Sequence, residues 1–251
     1  MSYKNIGNGT FWLGDCFDIM ANAPVNSVDL ILCDLPYGTT NCKWDAILPF
    51  KQLWSEYWRI AKPNAAIVLT SSMPFTAALV MSQIDYFKYE IIWDKVNRYT
   101  GALLANLRPM RRHENVLIFA KKQPIYNKQF RTGKPYAVKR TKGHGEYIGD
   151  LDSNTVRVGV NDGNHNPCSI VDIKADNKLE MGLHPTQKPV ELFEYLIKTY
   201  TNEGDLVLDN CAGSGTTAIA CENTNRRWVC IEKELEYADK AVERIEQHLK
   251  G

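Results

Sequence analysis

Short apolar runs, each ending in a turn or a charged residue, recur along the chain. Continuous apolar runs of three to six residues are typical of strands that are buried on both faces of a sheet. The pattern therefore predicts seven strands, at residues 10–13, 28–33, 65–70, 89–93, 116–120, 206–208 and 228–231.

Three other segments carry apolar residues at helical spacing. The first covers 53–60 and is stopped by Pro63, the second covers 190–200 after Pro189, and the third covers 235–249. Because strands alternate with helices, the sequence predicts an α/β fold whose mostly parallel sheet has helices on both faces.

The middle of the chain lacks this periodicity. Residues 121–142 contain eight Lys or Arg and no Asp or Glu, and the residues that follow turn acidic. A structureless loop of this length is uncommon inside a compact domain, so we interpret the middle as an inserted recognition region that is partly irregular. The predicted division is 1–122, 123–183 and 184–251.

Composition narrows the class of protein without identifying a partner. The chain has 251 residues, 44% hydrophobic and 24% charged, with a net charge of +1, so it is an ordinary globular sequence. Its seven cysteines form no C-x-x-C pair, which argues against a disulfide framework or a zinc ribbon, and no metal site is predicted. No apolar run suits a signal peptide or a membrane span, so we expect a cytoplasmic protein.

A glycine-rich loop, 209–217, follows one predicted strand and leads into a helix. Gly213 and Gly215 allow a tight turn and a close approach of the backbone to a ligand. Glu232 ends the next strand, where an acid can accept hydrogen bonds from ribose hydroxyls. Asp209 precedes the glycines and would repel a pyrophosphate, so the loop predicts a nucleoside-containing, cationic cofactor rather than a dinucleotide.

A second motif, Asp34-Leu35-Pro36-Tyr37-Gly38, also follows a buried strand. An acid, a rigid proline and an exposed aromatic residue at the end of a strand indicate a site rather than a core. A flipped nucleobase could stack on Tyr37 while its amino group donates a hydrogen bond to Asp34.

The two motifs together resemble those of the DNA amino-methyltransferases. The second motif is similar to their D-P-P-Y sequence, and 209–217 is similar to their cofactor loop D-P-F-x-G-S-G-T. The segment 184–189, His-Pro-Thr-Gln-Lys-Pro, resembles the one that precedes that loop. The order of the motifs matches the β group, as found in type II restriction-modification systems and in phage or orphan enzymes.

This resemblance implies a circularly permuted, Rossmann-like class I methyltransferase fold, with a seven-stranded sheet and one antiparallel strand near an edge. It implies S-adenosyl-L-methionine as cofactor and Asp34, Pro36 and Tyr37 as catalytic residues. Asp15 and the backbone of Cys16 would contact the adenine, Glu232 the ribose, and Lys188 or Thr186 the carboxylate. The full set of expected cofactor-binding residues is Asp15, Cys16, Thr186, Lys188, Asp209, Ala212, Gly213, Ser214, Gly215, Thr216, Thr217 and Glu232.

The expected substrate is double-stranded DNA. Lys and Arg neutralise phosphates, so the basic run and its N-terminal extension predict a DNA-binding surface that includes Arg111, Arg112, Lys134, Lys139 and Arg140. An N4-cytosine enzyme of this group more often begins the catalytic motif with Ser, so the acid favours the N6 atom of adenine.

Three alternatives remain. N4-cytosine methylation is the first. A catalytically silent DNA-binding module is the second, although such a module would lose the acid at position 34. C5-cytosine chemistry would need a thiol nucleophile, and Cys168 follows a proline as in those enzymes, but it lies in the polar middle of the chain.

Two features bear on partners and cofactor affinity. The resemblance implies a homodimer and leaves open a cognate restriction endonuclease in the same system, and the aromatic residues Trp54, Tyr57 and Trp58 on one helix suggest a two-fold interface. The chain departs from the family at Leu35, where a proline is usual, and at Asn210-Cys211, where Pro-Phe is usual. The second departure removes an aromatic side chain near the expected cofactor.

Overall fold

The structure is a computed structural model that describes residues 2–39, 42, 45–140, 157–176 and 187–251. The chain divides into two compact units. The larger consists of 1–127 and 169–251, and the smaller of 128–168. Thr186 lies outside the described residues, so its expected contact with the cofactor stays a prediction.

The described residues form thirteen strands and six α-helices. The strands are β1 (Ser2–Ile6), β2 (Gly9–Leu13), β3 (Val28–Cys33), β4 (Ala61–Ser71), β5 (Phe87–Asp94), β6 (His113–Phe119), β7 (Arg131–Thr132), β8 (Tyr136–Arg140), β9 (Arg157–Asn161), β10 (Asn164–His165), β11 (Ile170–Asp172), β12 (Leu206–Asp209) and β13 (Arg227–Glu232). The helices are α1 (Cys16–Ala21), α2 (Phe50–Ile60), α3 (Phe75–Ser82), α4 (Val190–Tyr200), α5 (Thr216–Asn223) and α6 (Leu235–His248).

The larger unit is built on a nine-stranded sheet with the order β1-β2-β13-β12-β3-β4-β6-β5-β11. Its seven central strands are the seven that the apolar runs predict. Strands β2, β13, β12, β3 and β4 are parallel to one another, and β6 runs antiparallel between β4 and β5. The expected antiparallel strand near an edge is thus confirmed.

The sheet has two more strands than the seven expected. Strand β1 pairs antiparallel with β2, and β11 pairs parallel with β5. Four of the five residues of β1 are exposed, and β11 is three residues long within a polar segment. Neither strand has the buried apolar run that the pattern detects, which is why the sequence did not predict them.

Three helices cover each face of the sheet. Apolar residues of α4, α5 and α6 form one buried cluster with one face, and those of α1, α2 and α3 form another with the opposite face. The predicted α/β arrangement is therefore confirmed. None of the helices in the described part of the chain is long and apolar enough to cross a membrane.

The parallel pairing of β12 with β3 determines where a ligand can bind. The chain leaves β12 toward β13 on one side of the sheet and leaves β3 toward β4 on the other. Such a reversal opens a crevice beyond the carboxyl ends of the two strands. Both predicted motifs, which begin at Asp34 and Asp209, start at this place.

The smaller unit contains two antiparallel pairs, β8 with β9 and β7 with β10. It is shorter than the predicted region 123–183, because residues 123–127 and 169–176 belong to the larger unit. Strand β11 extends the main sheet, and the buried Ile173 accepts a hydrogen bond of 2.8 Å from the indole N–H of Trp93. A role of this unit in target recognition stays a prediction.

The aromatic residues of α2 pack inside the protein. Trp54 and Tyr57 are 2% and 0% exposed, and the Trp58 ring stacks on Trp54 with centroids 5.6 Å apart. Trp54 and Tyr57 therefore supply no area for a two-fold interface, so this interpretation is wrong for both, whereas Trp58 is half-buried. Trp54 and Tyr57 pack in the core between α2 and the sheet.

Helix α2 is also linked to the glycine-rich loop. The buried hydroxyl of Tyr57 donates a hydrogen bond of 2.5 Å to Oδ1 of the buried Asn210. Tyr57→Phe leaves that oxygen without its donor, so we expect the free energy of unfolding in urea to fall by about 1–3 kcal/mol. The exposed Tyr3 offers a control, since Tyr3→Phe should leave stability unchanged. Equal stability of the two variants would contradict this role of the bond.

Candidate active site

A cavity of about 920 Å³ lies beyond the carboxyl ends of the central strands, which is within the size range of small-molecule sites. Residues from both motifs line it, so the fold brings together most of the predicted site. Its lining includes Asp15, Cys16, Asp34, Pro36, Tyr37, Lys188, Asp209, Ala212, Gly213, Ser214, Thr216 and Glu232.

Backbone conformation gives the glycine-rich loop its shape. Gly213 and Gly215 have φ values of 50° and 75°, in the left-handed region that glycine adopts without strain. A Cβ at Gly215 would lie 3.0 Å from Cδ1 of Ile245 on α6. The glycine thus lets the loop pass beneath α6 before α5 begins at Thr216.

Asp209 anchors this loop from the end of β12. Its buried carboxylate accepts hydrogen bonds from the hydroxyl of Thr217 and, at 3.0 Å, from the backbone N–H of Cys211. Burial raises the pKa of Asp209 to about 6, against the opposing effect of these donors. Asp209 and Thr217 therefore shape the loop itself, and a contact between Asp209 and the cofactor stays a prediction.

The two other acids that the sequence singles out lie at the ends of β2 and β13. Glu232 accepts hydrogen bonds from the backbone N–H groups of Gly213, Lys233 and Glu234 at 2.8–2.9 Å. Asp15 caps α1 by accepting from the N–H of Phe17 at 2.9 Å. Both side chains line the cavity, where carboxylates suit ribose hydroxyls and the amino group of a purine.

Cys16 also lines the cavity, next to Asp15. Burial raises the pKa of its thiol to about 12, so the side chain stays neutral and apolar. A contact through its backbone, as expected from the resemblance, is compatible with this state.

Asp34 follows β3 and also lines the cavity. Side chains of the protein itself donate hydrogen bonds to both oxygens of its carboxylate. Oδ1 accepts from the hydroxyl of Tyr37 at 2.7 Å and from the hydroxyl of Thr70. Oδ2 accepts from the ammonium group of Lys188 at 2.6 Å. Asp45 fixes the following turn, because its carboxylate accepts from the N–H of Gly38 and of Thr39, both at 2.8 Å.

Tyr37 is half-buried rather than exposed, which corrects the expectation from the sequence. Its hydroxyl is directed to Asp34, and its ring stacks on Phe75 with centroids 5.1 Å apart. Burial and the neighbouring carboxylates of Asp34 and Glu114 raise the pKa of Tyr37, so its hydroxyl stays protonated and remains a donor.

Lys188, which the resemblance assigns to the carboxylate of the cofactor, lies in a buried group of charged side chains. Its Nζ is 2.6 Å from Asp34 and 3.4 Å from Oε2 of Glu114, whose Oε1 is 2.6 Å from Nζ of Lys95. Burial alone would lower the pKa of Lys188, but the two carboxylates outweigh it and raise the pKa. Burial alone would raise the pKa of Glu114. The ammonium groups of Lys188 and Lys95 outweigh this effect, so the pKa of Glu114 is lowered.

Sequence reasoning missed four of these residues: Asp45, Thr70, Lys95 and Glu114. Thr70 ends the predicted strand 65–70 and Glu114 precedes the predicted strand 116–120, and no motif or spacing distinguishes either residue. The pairing of β3 with β4 places Thr70 beside Asp34, and the pairing of β4 with β6 brings Glu114 to the same edge of the sheet.

The predicted DNA-binding residues have different surroundings. The guanidinium of Arg111 lines the cavity and donates to Ser72 and, at 3.2 Å, to the carbonyl of Met73. The half-exposed guanidinium of Arg112 is paired with Asp94. Lys134 is exposed on the smaller unit. Lys139 and Arg140 lie in β8, and their side chains are outside what the structure describes.

Comparisons with known proteins agree with this geometry. The family described as DNA methylase matches residues 28–243. The type II methyltransferase M.HpaI of Haemophilus parainfluenzae is 31% identical over 245 residues, which cover 92% of this chain and 72% of that protein. M1.MboII of Moraxella bovis is 27% identical, with 90% and 92% of the two chains covered.

Two solved structures have similar folds. The M1.HpyAVI–SAM complex matches with a TM-score of 0.62 and 26% identity over 94% of this chain and 98% of that one. The cytosine-N4-specific PvuII DNA methyltransferase matches with a TM-score of 0.65 over 98% and 93%, but at 16% identity it supports the fold alone.

The described residues fit the methyl donor of this family. Asp15 and Glu232 line one part of the cavity and Asp34 lines another. The glycine turn at Gly213 lies on the cavity wall, where its backbone is open to a ligand. The protein belongs to the DNA amino-methyltransferases of the restriction-modification type, with a Rossmann-like methyltransferase fold and S-adenosyl-L-methionine as its cofactor.

Proposed function

We propose that this protein methylates the N6 amino group of adenine at a specific site in double-stranded DNA. The observation that carries the proposal is the placement of Asp34, a carboxylate, in the same cavity as the cofactor loop. A carboxylate accepts hydrogen bonds from an amino group, and an acid opens the motif in the resembling adenine enzymes.

The chemical difficulty lies in the amino group. Its lone pair is conjugated with the purine ring, which makes the nitrogen a poor nucleophile. Asp34 and the main-chain carbonyl of Leu35 or Pro36 accept hydrogen bonds from its two N–H groups. These bonds turn the lone pair out of conjugation with the ring. When bound, S-adenosyl-L-methionine supplies an electrophilic methyl group. Orientation and preorganised electrostatics then account for most of the rate.

The surrounding donors prepare Asp34 for this task. Tyr37 and Thr70 hold Oδ1, and Asp45 fixes the turn that carries Tyr37 and Pro36. The carboxylate therefore has little freedom to rotate, so an incoming amino group meets an acceptor that is already oriented. Glu232, Asp15 and the loop 212–216 would hold the donor on the other side of the cavity.

Identification of the methylated nucleoside tests the proposal directly. Purified protein, duplex DNA and S-adenosyl-L-methionine are incubated, and the DNA is digested to nucleosides for mass spectrometry. We expect N6-methyladenine. N4-methylcytosine would replace the assigned base, and 5-methylcytosine would revive the thiol chemistry of Cys168. Bound cofactor and DNA without any methylated nucleoside would identify a silent binding module.

Partners and assembly are proposed on the resemblance alone. A homodimer would present two copies to a palindromic site, and a cognate endonuclease would cleave the same unmethylated site in the cytoplasm. Trp54 and Tyr57 are buried in the core and give no support to a homodimer, so light scattering must decide the oligomeric state.

Asp34→Ala should abolish methyl transfer without removing the cofactor site. The carboxylate contacts the reacting amino group, so its loss removes an interaction that strengthens in the transition state. We expect kcat to fall by more than about tenfold, or ~1.4 kcal/mol, with a calorimetric Kd for S-adenosyl-L-methionine close to that of the parent. Asp239→Ala, on the exposed face of α6, is the control. Turnover near that of the control would exclude this role for Asp34.

Neutralising Lys134, Lys139 and Arg140 together should weaken DNA binding and its dependence on salt. Each lost phosphate contact lowers the slope of log K against log salt by about 0.9, so the slope should fall by up to roughly three units. Neutralising the exposed Lys51, Lys88 and Lys250 changes the net charge equally and should leave the slope unchanged. Equal slopes in the two triple variants would show that Lys134, Lys139 and Arg140 face solvent and do not contact DNA phosphates.

A further inference from the structure

Four alternating charges lie in a buried row beside the proposed acceptor. The row runs from Lys95 to Glu114 to Lys188 to Asp34, and its nitrogen–oxygen distances are 2.6, 3.4 and 2.6 Å. Lys188 is 6% exposed, and the Glu114 side chain is 14% exposed. These four side chains carry no net charge, because two ammonium groups balance two carboxylates.

The donors around Asp34 leave it little capacity for a substrate. A carboxylate offers about four lone pairs, two on each oxygen. Tyr37 and Thr70 take both on Oδ1, and Lys188 takes one on Oδ2. The remaining lone pair belongs to an oxygen whose charge an ammonium group at 2.6 Å already neutralises, which weakens it as an acceptor.

Glu114 offers Lys188 a second acceptor. Its Oε2 is buried and receives no well-formed hydrogen bond from the described residues. Nζ of Lys188 is 3.4 Å away, beyond the 2.7–2.9 Å of a charge-assisted hydrogen bond. A displacement of Nζ by roughly 0.6 Å would complete that bond without moving the backbone.

We propose that Lys188 is a positioning residue that alternates between two carboxylates. In the protein without DNA, Lys188 holds Oδ2 of Asp34. When the amino group of the flipped base arrives, the ammonium group shifts toward Oε2 of Glu114 and loosens its bond to Oδ2, which then accepts from the base. This inference rests on the proposed role of Asp34 and adds Lys188 and Glu114 to the machinery that serves it.

The electrostatics of the reaction favour this exchange. The amino nitrogen gains positive charge as the methyl group is transferred, so a negative Asp34 stabilises the transition state and an adjacent ammonium group opposes it. Movement to Glu114 lengthens the distance between the two positive charges. Lys188 remains paired in both positions, so the protein never holds an unpartnered buried ammonium group.

Glu114→Gln tests the second acceptor. The amide keeps the shape of the side chain and still accepts from Lys95, but it lacks the charge that attracts Lys188 away from Asp34. We expect kcat to fall by about tenfold or more, with the KM for DNA and the Kd for S-adenosyl-L-methionine within about twofold of the parent values. Parent kcat in a variant that binds the cofactor normally would overturn the proposal.

Lys188→Met and the double variant test whether the two residues act together. Lys188→Met should lower kcat at an unchanged cofactor Kd, because Asp34 loses the group that orients it. Adding Glu114→Gln should then have no further effect on kcat, since Oε2 of Glu114 serves only Lys188 and the amide oxygen still accepts from Lys95. Lys62→Met, which breaks a Lys–Asp pair of 2.7 Å with Asp29 at the other end of β3, should behave as the parent.

The outcomes separate this inference from the proposed function. A multiplicative loss in the double variant would indicate two independent structural roles and overturn the exchange. Weakening of the cofactor Kd by more than about tenfold in a folded Lys188→Met variant would instead place Lys188 on the donor's carboxylate. If Lys188→Met does not fold, Glu114→Gln alone still decides. Inactive Asp34→Ala beside a fully active Glu114→Gln would leave the function standing and reject the inference.

Discussion

The parallel pairing of β12 with β3 is the constraint on which the site depends. Val207 and Leu208 pair with Leu30 and Ile31, so the two strands end at the same edge of the sheet. That register brings the glycine-rich loop and the Asp34 motif, which are distant in sequence, to one cavity. Methyl transfer needs donor and acceptor side by side, and this single ladder supplies that proximity.

The same pairing creates an electrostatic problem. Carboxylates at the ends of adjacent buried strands repel each other, and Asp34 contributes to the raised pKa of Asp209. The protein resolves it in two ways. Neutral donors surround Asp209, whereas Lys188 balances Asp34 and is itself shared with Glu114. Only the second arrangement contains a mobile charge, and it lies where the reaction needs one.

The sequence predicted features that leave a local signal. Buried strands have continuous apolar runs, and loops that approach a ligand have glycine and acids at strand ends, so the central sheet and both motifs were visible. Contacts between distant segments leave no such signal. Lys188 and Asp34 are 154 positions apart, and Glu114 belongs to an apolar strand. Trp54 and Tyr57 of α2 were misassigned to an interface because composition cannot distinguish a core from an interface.

A crystal structure with target duplex and S-adenosyl-L-homocysteine, the demethylated donor, would test the central claim most directly. The measurement is the set of distances from the amino nitrogen of the target base to Asp34 and from Nζ of Lys188 to both carboxylates. We predict a hydrogen bond between that nitrogen and Oδ2 of Asp34, with Lys188 nearer to Oε2 of Glu114. An amino group held by other residues, with Lys188 still on Asp34, would contradict the account.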